Sequence, residues 1–291
     1  MAVTVVRPAP VDGRVGQVRD ADRLGLDLLL DEDPIVNAVL IARLAAARSL
    51  DPDVIGGSLL AVRAPRGRLS AAAFHGGNLL PAGGRDADWQ ALAAHLATTR
   101  RVCTSVVGRA DTVSAIWPVL EQSWGTPRAI RHEQPLLALG RDEAALADTS
   151  EVRVMRREDV DSYLPAAAAM FSEELGISPF AGRSGSTYRR RIEGLVAARR
   201  ALGILDRDGS VIFKADLAVL TRDTCQVQGV WVRPDLRGRG IGTSALAGVF
   251  AHALQLAPTV SLYVNDFNHV ARAVYARLGM RQVATLSTVL L

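Results

Sequence analysis

Val230-Trp-Val-Arg-Pro-Asp-Leu-Arg-Gly-Arg-Gly-Ile-Gly-Thr243 decides how this chain is read. The apolar, alternating run from Gln226 to Val232 ahead of it predicts a strand that stops at Pro234. A turn with glycine at 238, 240 and 242 follows, and then a helix from about 241 to 257, with Leu246, Val249, Phe250 and Ala253 at i, i+3, i+4, i+7. Glycine has no Cβ, so such a turn can take positive φ and let the backbone approach a ligand closely. Free N–H groups at a helix N-terminus, with about half a positive charge from the macrodipole, suit a diphosphate. A glycine turn that merely caps an ordinary helix would look the same.

Spacing separates the nucleotide-binding patterns. A P-loop needs Lys before its Ser/Thr, and none precedes Thr243 and Ser244. The dinucleotide fingerprint needs its third glycine where Thr243 stands. The stretch reads instead as Arg/Gln-x-x-Gly-x-Gly/Ala, in Arg237-Gly-Arg-Gly-Ile-Gly242. Here the chain resembles the GNAT (GCN5-related) N-acetyltransferases, whose acetyl-CoA loop has this form. A second stretch carries the resemblance further. Leu262-Tyr-Val-Asn265-Asp-Phe-Asn268-His-Val-Ala271-Arg-Ala-Val-Tyr275-Ala-Arg-Leu-Gly279-Met280 is similar to the family's final motif, a strand ending in Asn and a helix Asn-x-x-Ala-x-x-x-Tyr.

The resemblance implies a set of roles. The backbone of Val230, Trp231 and Val232 would bind the pantetheine arm as a false strand partner, with an amide polarising the thioester carbonyl. The loop of Arg237, Gly238, Arg239, Gly240, Ile241, Gly242 and Thr243 would hold the diphosphate, and Asn265, Asn268 and Ala271 would flank the arm. Tyr275 would be the general acid for the departing thiolate. A phenol of pKa about 10 can donate to a thiolate whose thiol has a pKa of about 8.5. On periodicity alone Tyr275 shares a face with Ala271, Val274 and Leu278 and is equally a core tyrosine; Val230 and Val232 read as core strand residues, and Asn268 as a helix cap. Many relatives carry a glutamate base on the strand before the loop, whereas this chain has Gln226 and Gln228. The remaining base candidates are Glu173 and Glu174 at the end of a helix, then Asp216, His252 and His269; a water relay would need none of them.

The rest of the chain divides at a polar stretch, Gly140–Ser150. Residues 1–18 read as a lead-in. Helices are expected at 20–30 and from Asp33-Pro34 to Ser49, with Pro34 at the first helical position. Strands follow at 58–64, 68–74 and 78–80, then helix 87–99, strand 102–107, helix 111–123 and strand 129–139. After the divide come strand 151–155, helix 158–174, a loop at 176–186 placed where the family binds its acceptor, and helix 187–200. Strands at 201–206, 211–220 and 224–232 lead to the glycine turn and its helix; strand 259–264, helix 268–279 and strand 281–290 end the chain.

Helix, helix, three strands, helix, strand, helix, strand describes both halves. The expected fold is therefore α/β (α+β): two tandem GNAT-like domains, each a mixed, mostly antiparallel sheet flanked by helices. Residues 1–145 would be a degenerate copy, with Leu80-Pro-Ala-Gly-Gly-Arg85 in place of the binding loop, and 151–291 the acetyltransferase domain. The arrangement resembles actinobacterial members of the family that carry an uncharacterised domain ahead of the acetyltransferase.

Composition narrows the remaining classes. Apolar content of 49% and charge of 22% are those of a globular protein. Lys214 is the sole lysine among 34 basic residues, which with the alanine richness points to a GC-rich bacterial coding bias. Net charge is only +4 and the arginines are scattered, so no nucleic-acid partner is expected. Cys103 and Cys225 stand apart and no His/Cys/Asp cluster has ligand spacing, so neither a disulfide framework nor a metal is expected. No run approaches the ~20 apolar residues of a membrane span, and the N-terminus has no apolar run of signal length; a cytoplasmic, membrane-free protein is expected. The functional expectation is an acyltransferase that moves the acetyl group of acetyl-CoA to a primary amine of unknown identity by direct attack in a ternary complex. Its rival is a catalytically weak CoA-binding sensor or scaffold.

Overall fold

The computed structural model describes residues 14–144, 151–180 and 185–291. The chain forms two compact units, Met1–Gln134 with Thr285–Leu291, and Pro135–Ala284.

The first unit runs β1 (Arg14–Gln17), α1 (Arg23–Asp31), α2 (Ala38–Ala45), α3 (Pro52–Ile55), β2 (Gly57–Arg63), β3 (Leu69–Gly76), β4 (Leu79–Gly83), α4 (Asp86–Ala97), β5 (Ser105–Arg109), α5 (Ala110–Trp124) and the first part of β6 (Ala129–Gly140). β1 to β4 pair antiparallel in sequence order. β4 meets β5 in parallel at Leu79 and Val106. One core packs α4 and α5 against the sheet through Trp89, Leu92, Ile116 and Leu120; another packs α1 and α2 through Leu26, Leu30, Leu40 and Leu44.

In the second unit come β7 (Arg153–Val154), α6 (Val160–Leu175), α7 (Gly185–Ala197), β8 (Ala201–Leu205), β9 (Val211–Leu220), β10 (Cys225–Val232), α8 (Ile241–Leu256), β11 (Thr259–Tyr263), α9 (His269–Arg277) and the first part of β12 (Arg281–Leu290). β7 to β10 are again antiparallel and β10–β11 parallel. The two faces of β9 have different duties. Phe213, Ala215 and Leu217 join the core under α8, whose Leu246, Val249, Phe250 and Ala253 are buried as the helical spacing predicts. Lys214 and Asp216 alternate to the opposite face, where Tyr163 of α6 lies. Each large apolar side chain buried this way contributes about 1.5–3 kcal/mol.

Both units thus share one element order in mostly antiparallel sheets flanked by helices, as the repeated pattern predicts. Three local expectations change. Arg14–Gln17 is a strand rather than lead-in, while residues 1–13 lie outside the described residues. The helix expected from Pro34 begins at Ala38, because Asn37 closes a turn onto the Asp33 carbonyl and its side chain donates to Leu30 C=O. Division falls at Gln134/Pro135 rather than in the polar stretch, of which 145–150 lies outside the described residues. Strand pairing is the reason. Pro135 onward, β6 pairs with β11 of the second unit, whereas Leu286–Leu290 of β12 pair with β5 of the first. No helix among the described residues is long and apolar enough to cross a membrane.

Candidate functional site

The glycine loop joins β10 to α8, and its backbone explains its composition. Gly238 has φ +76° and Gly240 φ +81°, in the left-handed region that favours glycine. A Cβ built on either would meet nothing within 4 Å, so the space beside the loop is open. Gly240 caps α8, and the helical ladder begins with Thr243 and Ser244, both donating to the Gly240 carbonyl at 3.1 and 3.2 Å. The amides of Ile241 and Gly242 therefore precede the first helical donor, Thr243. At the loop's other end the Arg237 amide donates to Pro234 C=O at 3.3 Å. Of the amides expected to grip a ligand, those of Arg237 and Thr243 are engaged within the chain.

Next to the loop the sheet opens. β10 and β11 pair only at Cys225–Val260 and Gln226–Ser261, at the start of both strands. Beyond them Val227–Val232 and Leu262–Tyr263 diverge, leaving the β11-facing edge of β10 unpaired with its neighbour. This is a wedge whose wide end carries the start of α8.

The side chains around it are largely committed to one another. Glu173, on the last turn of α6, accepts from the Trp231 indole N–H at 3.0 Å and from Arg237 Nη2 at 2.7 Å. Burial raises the Glu173 pKa, but those two donors outweigh it and hold the carboxyl below its ordinary value. Arg237 also donates through Nε to Val232 C=O at 2.9 Å, so its guanidinium braces the loop and does not stand free as a phosphate fork. Arg239 is exposed. Gln228 Nε2 donates to Gln226 Oε1 at 3.0 Å, a neutral pair on the strand that leads into the loop.

Tyr275 of α9 is buried, and burial together with the negative charge of nearby Glu174 pushes its phenol up to about 12. Tyr275 and Glu174 are therefore within electrostatic reach of each other. Asn268 accepts from the Ala271 amide at 3.1 Å as the cap of α9. Asn265 and Ala271 are partly exposed. His269 is exposed, and His252 is half-buried on α8 with its pKa lowered by burial and by Arg199. In the expected acceptor loop, Ile177 and Phe180 are exposed, and 181–184 lies outside the described residues.

One constellation went unread. Lys214 is fully buried beside Asp216, with Nζ 2.9 Å from Oδ2, and it also donates to Gly229 C=O at 2.8 Å. Tyr163 donates to Asp216 Oδ1 at 2.6 Å. Asp216 is thus held between a cation and a phenol and is not an open base. A lone lysine in an apolar strand, with an aspartate two residues on and so on the same face, was the available signal.

The first unit shows what the corresponding place looks like when it is closed. Its loop glycines, Gly83 (φ +66°) and Gly84 (φ +92°), are also left-handed. Here a Cβ at Gly83 would come within 2.5 Å of Leu29 Cδ1 and one at Gly84 within 2.4 Å of Trp89 Cζ2. The chain's own side chains occupy this loop. Among the described residues no group of three or more His, Cys, Asp or Glu could hold a metal ion.

Residues 170–280 match the acetyltransferase (GNAT) family, and residues 57–163 match a domain of unknown function (DUF4081). No curated protein matches the chain. Among solved structures, a GCN5-related N-acetyltransferase from Sphaerobacter thermophilus superposes with a TM-score of 0.58 at 17% identity, covering 97% of this chain and 96% of that one. An acetyltransferase from the GNAT family of Colwellia psychrerythraea gives 0.57 at 11% identity over 95% and 99%. A tandem GNAT protein from the clavulanic acid biosynthesis pathway gives 0.51 at 13% over 95% and 98%. At these identities the likeness is one of fold.

Proposed function

We propose, from the premise that residues 170–280 are a GNAT acetyltransferase domain, that the protein transfers the acetyl group of acetyl-CoA to a primary amine. The observation that carries this reading is the wedge between β10 and β11, closed at its wide end by left-handed glycines with open space beside them. An extended thioester carrier fits that shape: a strand edge for the amide-rich arm and helix-start N–H groups for the diphosphate. Acetyl-CoA supplies an activated acyl carbon and a thiolate leaving group.

The chain's residues divide the remaining work. The backbone of Val230, Trp231 and Val232 holds the arm, and an amide of this strand polarises the carbonyl, a contribution typically worth about 3 kcal/mol of barrier. Gly238–Gly242 face the diphosphate, with Arg239 available to the phosphates. Tyr275, protonated across neutral pH because its phenol is pushed up to about 12, gives its proton to the departing sulfur. Glu173 and Asp216 are tied up in hydrogen bonds, and Glu174 lies within electrostatic reach of Tyr275.

Direct attack by the amine fits the absence of an acyl-accepting thiolate among the described residues. Burial pushes Cys225 up to about 11, and it does the same to Cys103. Release of thiol from acetyl-CoA across a panel of small amines, amino acids and peptides tests the reading. Amine-dependent release supports it, and tight CoA binding without release from any amine or from lysate protein overturns the transfer reaction.

A further inference from the structure

Resting on the acetyl-CoA reading of this site, we propose that Lys214, held by Asp216 and Tyr163, is a positioning residue that aims the Val230 amide at the thioester carbonyl. The geometry begins at Gly229. Along β10, Gln228 faces Asp216 and Trp231 faces Lys214, so β10 carries one more residue than β9 across that interval: a β-bulge. Gly229 stands in it with φ +60°. A Cβ there would lie 2.8 Å from Asp216 Oδ2, 2.9 Å from Lys214 Nζ and 3.1 Å from Met170 Cε. Backbone and charge pair are packed together too tightly for any side chain between them.

The bulge peptide is pinned at its oxygen, by Lys214 Nζ donating to Gly229 C=O at 2.8 Å. Among the described residues no peptide bond is cis, and in a planar trans peptide the carbonyl and the following N–H point to opposite sides. With the Gly229 oxygen held by Lys214 Nζ, the Val230 N–H points away from that ammonium, on a stretch of β10 from which β11 has already parted. A cation on the carbonyl oxygen polarises the whole peptide unit, which makes that N–H a stronger donor.

Stability alone is a poor reason for this arrangement. A buried ion pair is on average no better for folding than apolar side chains of similar volume. Tyr163 supports the pair from above: its hydroxyl donates to Asp216, and Lys214 Nζ lies 5.3 Å from its ring centroid. Tyr163 and Asp216 thus hold the ammonium that donates to the Gly229 carbonyl.

The test reads the carbonyl itself and needs no knowledge of the acceptor. Acetyl-CoA labelled with carbon-13 at the thioester carbonyl is bound to the wild-type protein and to Lys214→Met, and the carbonyl stretch is followed by difference infrared spectroscopy. The expected result is a shift to lower frequency in the wild type that shrinks in the variant, with calorimetric CoA affinity within about threefold. With a competent amine, kcat falls by roughly 10- to 100-fold while KM for acetyl-CoA holds, a smaller loss than removal of a whole oxyanion donor. If Lys214→Met does not fold, Lys214→Met with Asp216→Asn removes both charges and is measured the same way. Equal carbonyl frequencies in two proteins that bind equally well overturn the role of Lys214. Failure of the wild type to bind acetyl-CoA overturns the reading beneath it.

Discussion

Glu173 and Arg237 form a 2.7 Å ion pair that ties the end of α6 to the loop leaving β10. Both side chains are nearly half exposed, at 44% and 47% relative area, so the pair contributes at most about 1 kcal/mol to stability. It does remove Glu173 from acid–base work. A carboxylate held low by two donors accepts a proton poorly near neutral pH. Glu173→Gln keeps the indole contact and loses the ion pair. The expected outcome is a kcat within about tenfold of wild type, where removal of a general base costs roughly 10²–10⁴. A larger loss, accompanied by disappearance of the acidic limb of the pH–rate profile, would make Glu173 the base.

Tyr275 and Glu174 lead to a prediction in pH. An acid must hold its proton, and a phenol pushed up to about 12 does so well beyond neutrality. Tyr275→Phe is expected to lower kcat by roughly 10²-fold with CoA affinity unchanged. Glu174→Gln removes the nearby negative charge that disfavours phenolate, so the Tyr275 pKa falls. Activity should then be lost at a lower pH on the alkaline side than in the wild type. An alkaline limb that stays in place in Glu174→Gln, or wild-type turnover in Tyr275→Phe, would remove the phenol from the reaction.

The strand, glycine turn and helix at 226–257 were legible because each is a local pattern: alternation, positive-φ residues and helical spacing. So was the repeated element order. The division at Gln134/Pro135 was not, since it depends on Leu286 pairing with Arg109, a contact no local pattern carries. β1 escaped notice because four residues cannot establish a period. The Glu173–Arg237 pair was hidden for the same reason as the division: it joins positions 64 apart in sequence. Asp216 was expected as a base candidate; Lys214 two positions earlier on the same face signals a partner, but Tyr163, 53 positions away, is placed only by the fold.

Gly240 separates backbone strain from blockage. Its φ of +81° costs an L-residue about 1–2 kcal/mol, and a Cβ there meets no atom of the chain within 4 Å. Gly240→Ala should therefore lower the unfolding free energy by about that much in a denaturant titration. Gly240→Trp should show similar strain and, in addition, fill the space beside the loop, so that CoA binding is lost by calorimetry. Unaltered CoA affinity in the Trp variant would move the diphosphate site elsewhere.

The two units differ in what their loops face, and that difference predicts the stoichiometry of CoA binding. In the first unit Leu29 and Trp89 crowd the loop glycines. The adjoining cavity, about 310 Å³, is lined by Glu32, Asp33, Asp86 and Asp111 against Arg85 and Arg109. Arg109 is already shared between Asp33 at 3.3 Å and Asp111 at 3.4 Å. A diphosphate entering there would meet an acidic surplus and a loop filled from within, whereas the second unit's loop offers open space and unengaged helix-start amides. Titration with CoA should thus saturate at one molecule per chain, and Gly240→Trp should abolish that single site. Two binding events per chain, or one that survives Gly240→Trp, would place a functional cofactor cleft in the first unit.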